Sequence, residues 1–142
     1  MSEDDGLKRR VKQWKRVSKY LKRVGFAIEP GDGNSFRVVS KKTPECYVFV
    51  NITDRCTIVS TPREKVPEDM FEGKTTEWLY WSLCGALAVP FIYDREEDEI
   101  YSYVLLEEAT DNTLYEAVKL IWRGSFDFLC AVAELSEDCK KE

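Results

Sequence analysis

Residues 7–24 restrict this chain more than any other segment. On a helical wheel at about 100° per residue, Lys8, Arg9, Lys12, Lys15, Arg16, Lys19, Lys22 and Arg23 occupy one unbroken arc of roughly 140°. Leu7, Val11, Trp14, Val17, Ser18, Leu21 and Val24 fill a separate arc, which also takes in Arg10. Such a segment folds as a surface helix, because one arc needs a core beneath it and the other needs water or an anion. No acid lies among the basic residues. Like-charge pairs such as Lys8/Lys12, Lys12/Arg16, Lys15/Lys19 and Lys19/Arg23 each cost about 0.2–0.5 kcal/mol in an isolated helix. Two explanations stay open for the basic arc. It is neutralised within the molecule, or it is a surface for a polyanion.

The charge distribution sharpens that choice. The net charge of −5 combines nine basic and three acidic groups over residues 1–23 with an excess of acids in the rest of the chain. An acidic body could therefore compensate the basic helix. The 142 residues suit a single domain with a real core. Residues 1–6 read as a disordered N-terminus, 7–135 as one domain and 136–142 as a polar tail.

Gly25 is a natural stop for the first helix. Phe26–Glu29 can form a short strand, and Pro30-Gly31-Asp32-Gly33-Asn34 is a turn. Alternation over Phe36–Lys41, then Glu45–Ile52 and Cys56–Thr61, predicts an antiparallel meander. Glu45–Ile52 is apolar on both faces, as is Ile100–Leu106. Pro67-Glu68-Asp69 looks like a helix start, and Trp78–Val89 reads as a mostly buried helix. Gly85 and Ala86 would admit a close neighbour there. Phe91–Tyr93 is a strand, followed by an acidic hairpin turn over Asp94–Glu99. Thr113-Leu114-Tyr115-Glu116 suggests a capping box for a last helix with 3–4 apolar spacing to Leu135. The order α-β-β-β-α-β-β-α predicts an α+β fold with helices packed on an antiparallel sheet.

Few residues suggest chemistry. There is no histidine, the usual base for serine or cysteine nucleophiles, so no catalytic residue is assigned and the chain reads as a non-enzyme. Cys46, Cys56, Cys84, Cys130 and Cys139 show no zinc spacing, so no metal site or cofactor is expected. Cys46, Cys84 and Cys130 are expected to be buried, and Cys139 to be the reactive thiol. The odd cysteine number and the lack of a signal peptide suggest the cytoplasm. The Asp94–Glu99 acids lack calcium-loop spacing and could instead face the basic helix. Tyr101 and Tyr103 share a strand face that could stack bases, but no adjacent basic residue supports this, so core packing is the expectation. The apolar run Trp78–Tyr93 is interrupted by Ser82, Gly85 and Pro90, so no membrane contact is expected.

From Phe91 to Leu135 an acidic turn leads into EIYSYVLLEEA and then a capped TLYEAVKLIW helix. This layout resembles the type III secretion chaperone-like fold and, within it, the YbjN family of presumed regulators. The resemblance covers most of the chain and rests on layout. It implies a small acidic cytoplasmic protein, often homodimeric, that binds other polypeptides and carries no catalytic residues. The basic first helix departs from that pattern. The expected function is a non-enzymatic protein-interaction domain that self-associates, with Trp78, Leu79 and Trp81 as the candidate interface. The alternative is a sequence-independent nucleic-acid-binding module using the eight basic residues.

Overall fold

Alternating apolar segments pair with their neighbours and leave helices to cover one side. The computed structural model describes residues 3–141. In chain order it contains α1 (Glu3–Arg23), β1 (Phe26–Pro30), β2 (Ser35–Ser40), β3 (Tyr47–Ile52) and β4 (Thr57–Ser60). There follow α2 (Thr76–Leu83), β5 (Ile92–Asp94), β6 (Glu99–Tyr101), β7 (Tyr103–Leu106) and α3 (Asp111–Lys140). The main sheet runs β1-β2-β3-β4-β7, with every neighbouring pair antiparallel, and β5-β6 forms a separate hairpin. The class is α+β, and the helices and strand groups follow the expected order.

α1 and α3 pack side by side on one face of the sheet. Trp14, Val17 and Leu21 from α1 meet Leu114, Val118 and Ile121 from α3 over Val38, Val48, Val50 and Val59. A second core gathers Leu79 and Leu83 of α2, Phe71, Phe91, Ile100, and Phe128 and Val132 of α3. Val89 seats against Gly124 of α3, where an added Cβ would lie 3.2 Å from the Val89 Cβ.

Several expected boundaries move. Helix α1 begins at Glu3, so residues 3–6 of the expected disordered segment are helical, while Met1 and Ser2 lie outside the described residues. The expected polar tail from Ser136 continues α3 as far as Lys140, with Ser136 buried. No glycine or proline stands there to end the helix. The Pro67 start yields one turn, in which the Phe71 amide donates to the Pro67 carbonyl, and Gly73 at φ 78° ends it. α2 starts instead after Thr75, whose hydroxyl accepts from the Trp78 amide. It ends at Leu83, so residues 84–90 form a connection that delivers Val89 to α3. Gly85 is exposed and nothing packs closely against it, which corrects the expected close approach.

The capping box of α3 lies three residues earlier than expected. The Thr113 amide donates to the Thr110 hydroxyl, and the Thr110 amide donates to the Thr113 hydroxyl. The expected strand over Ile100–Leu106 breaks at Ser102. That residue is buried, its amide donates to the Thr61 hydroxyl and its hydroxyl donates to the Pro90 carbonyl. These bonds turn β6 away from the main sheet and into the hairpin.

Candidate recognition surfaces

Packing its apolar arc on the sheet leaves the basic arc of α1 facing water. Lys8, Arg9, Lys12, Lys15, Arg16, Lys19, Lys22 and Arg23 are all exposed. Among the described residues, Arg16 alone of these eight forms an ion pair, with Asp111 at the first position of α3 (Nε to Oδ2 2.8 Å). This pair raises the Arg16 pKa and lowers that of Asp111, in both cases chiefly through the shared hydrogen bond. The acidic hairpin does not compensate the helix. Its Asp94 and Glu99 face Arg63, each at 3.5 Å, and Asp98 accepts from the Tyr93 hydroxyl at 2.6 Å. That last bond pushes the Tyr93 hydroxyl up to about 12.

Arg10, the ninth basic residue, does different work. Its guanidinium donates to the carbonyls of Asp54 (2.6 Å), Arg55 (2.7 Å) and Glu107 (2.6 Å). It ties α1 to the β3–β4 turn and to the chain leaving β7. Gly6 makes room for this contact, because a Cβ there would lie 2.7 Å from the Asp54 carbonyl oxygen.

The seam between α1 and α3 holds two depressions on either side of the Arg16–Asp111 pair. One, of about 350 Å³, includes Arg9, Arg10 and Gln13 but also Glu107 and Glu108. The other, of about 500 Å³, is lined by Tyr20, Arg23, Val24, Asp111, Asn112 and Tyr115. The Arg23 guanidinium stands 5.6 Å from the Tyr20 ring, and the Lys119 ammonium 4.8 Å from the Tyr115 ring. Sequence reasoning missed both tyrosines. Tyr20 borders the basic arc on the wheel, but only the fold brings Tyr115 beside it.

No helix among the described residues covers the opposite side of the sheet. Its registers place Glu29, Arg37, Phe49, Ser60 and Tyr103 in one cross-strand row, and Asn51, Ile58 and Leu105 in the next. Phe49 is 39% exposed, Tyr103 46% and Leu105 48%. Tyr101 and Tyr103 stack at 6.0 Å, and the Arg63 guanidinium lies 4.0 Å from the Tyr101 ring. Both tyrosines help line a shallow depression of about 460 Å³ on this surface. The expected core packing of Tyr101 and Tyr103 is therefore corrected: their face is bare, and a cation does accompany it.

The three interface candidates on α2 separate. Leu79 is fully buried in the second core and is corrected from interface to core. Trp78 is half-buried against Phe71, with ring centroids 5.3 Å apart. Trp81 projects into solvent at 63% exposure. The low amphipathicity of the sequence hid this, because one side of α2 meets α3 and β6 while an equally apolar side meets water. Among the cysteines Cys46 is buried as expected, whereas Cys84 and Cys130 are exposed and Cys139 packs partly against the second core. No group of three or more potential metal ligands is found among the described residues, and no described helix is long and apolar enough to cross a membrane. Comparison with known proteins adds no relative: no family model matches the chain, and no curated protein or solved structure resembles it at a significant level.

Proposed function

We propose that this protein is a non-enzymatic, chaperone-like interaction domain of the YbjN-like kind, and that its bare sheet face docks a second copy of the chain. The observation that carries this reading is the apolar outer face of β3, β4 and β7. Phe49, Ile58, Tyr103 and Leu105 sit where a two-layer domain normally presents polar side chains to water. Patches of this kind mark interfaces.

A second copy fits for two reasons. A sheet face related to itself by a twofold axis meets an identical apolar surface. Sheets pack face to face at about 10 Å, with side chains of this size interleaved. Five strands about 4.8 Å apart give a footprint on the order of 400 Å². A stable interface takes about 800 Å² per partner, so the adjoining β5–β6 hairpin, with Ile92 exposed beside Tyr101, must contribute to it. The five unpaired thiols suit a reducing cytoplasm, where we place the protein. The lack of histidine supports a role without acid–base catalysis.

Sedimentation or light scattering over a concentration series tests this directly. The expected mass is twice 16.5 kDa, falling to 16.5 kDa for the Phe49→Glu/Leu105→Glu variant. Parent protein that stays at 16.5 kDa up to about 100 μM, a concentration at which even weak specific dimers form, would refute the reading.

A further inference from the structure

The exposed cations of α1 run alongside an aromatic depression, on the surface opposite the bare sheet face. Lys12, Arg16, Lys19 and Arg23 follow the helix at spacings of four and three residues on the part of the basic arc nearer α3, so they form a nearly straight line of charge about 16 Å long. On the flank toward α3 lies the depression between Tyr20 and Tyr115. Tyr20 is 53% exposed, Asn112 supplies a polar group at the rim, and the charge of Asp111 there is offset by Arg16. Its volume, about 500 Å³, falls within the range of small-ligand sites.

We propose that this seam binds single-stranded nucleic acid without sequence specificity, this line of cations following the phosphates while Tyr20 and Tyr115 take an unstacked base. Charge complementarity selects a polyanion. The tyrosines then select among polyanions. A duplex keeps its base faces stacked and offers only phosphate, leaving the aromatic depression unused, whereas a single strand offers both groups. The Asp and Glu side chains of an acidic peptide offer charge but no ring to stack. An anionic membrane is disfavoured because Trp14, Val17 and Leu21 are buried in the core, so α1 has no apolar face to insert between lipids. At the other end of the seam, Glu107 and Glu108 repel phosphate. The strand is therefore placed over the cations from Lys12 to Arg23 and the tyrosine depression, away from Arg9 and Arg10.

The test uses the full chain and a labelled oligothymidine of about twelve nucleotides, within the usual site size for such surfaces, read by fluorescence anisotropy. With about four phosphate contacts, one for each cation of that line, affinity should fall by about 50-fold between about 50 and 200 mM salt. Replacing Lys12, Lys19 and Arg23 with Gln should flatten the slope of log affinity against log salt by about 2. Tyr20→Ala should weaken binding by about fivefold or more and leave the slope unchanged, which a purely electrostatic surface would not do. Tyr115 touches the first core, so Tyr115→Leu is the variant that keeps its packing, and the same loss is expected from it. Unlabelled duplex, anionic vesicles and polyglutamate should compete poorly. Absence of binding at low salt, full affinity in Tyr20→Ala, or equal competition by duplex, vesicle or polyglutamate overturns the proposal. Phe49→Glu/Leu105→Glu changes only the other surface, so the dimer can fail without this site failing, and the converse.

Discussion

Arg10 separates structural from available charge on α1, and replacing it should be costly where replacing its neighbours is not. Arg10→Met keeps the aliphatic stem and removes three charge-assisted bonds to carbonyls. The bond to Asp54 is half-buried and is worth about 1.5 kcal/mol; each exposed bond, to Arg55 and Glu107, is worth about 0.5 kcal/mol. The loss is then about 2.5 kcal/mol. At roughly 2.1 cal/mol/K per residue, 142 residues give an unfolding entropy near 0.3 kcal/mol/K, and the melting temperature should drop by about 8 °C. Arg9→Met is the control, because Arg9 is exposed and makes no ion pair among the described residues, so its shift should stay within about 2 °C. Thermal unfolding followed by far-ultraviolet circular dichroism reads both variants. Equal melting temperatures would refute the clamp, and with it the division of the nine basic residues into one that holds the fold and eight that face outward.

Gly6→Ala should also destabilise the protein despite the better helix propensity of alanine, because the new methyl meets the Asp54 main-chain oxygen; an unchanged or raised urea midpoint would contradict this. Asp111 should contribute to acid sensitivity. Arg16 holds its carboxyl below its ordinary value, so the stabilisation is present above about pH 4 and is lost as the pH falls through the lowered folded value. The pair is exposed and the effect screened, so Asp111→Asn should remove a small, salt-sensitive part of the acid dependence, read as urea midpoints across pH. Thiol titration of the native protein should show Cys84 and Cys130 reacting quickly and Cys46 last, since burial pushes the Cys46 thiol up to about 11; rapid labelling of Cys46 would place it outside the core.

Local pattern carried the meander well. Val38, Val48, Val50 and Val59 alternate with half-buried or exposed neighbours, and each hairpin turn contains residues suited to it. The apolar outer faces of Glu45–Ile52 and Ile100–Leu106 were also legible, but periodicity cannot tell a face covered by a second layer from one left bare. The limits of α2 were hidden for a related reason. Trp78–Val89 has a helical composition, yet the helix ends at Leu83 and Val89 packs on Gly124 instead of extending it. The Ser102 break depends on Thr61, 41 residues away, and on Pro90. The seam was least visible. Its cations are local to α1, but Asp111, Asn112 and Tyr115 arrive from the far end of the chain.

Helix α3 passes through both hydrophobic cores. Over 30 residues, about 45 Å, it gives Leu114, Val118 and Ile121 to the first and Phe128 and Val132 to the second. Gly124 and Ser125 lie at the junction, where Val89 packs against Gly124. The second core closes α2 and a hairpin of two three-residue strands, while the first closes a five-stranded sheet. The smaller body should therefore open at lower free energy than the larger, as a separate cooperative unit. Amide exchange would then divide one continuous helix into two regimes. The turns before Gly124 would be protected by global unfolding, and those after it only by the closure of α2 and the hairpin.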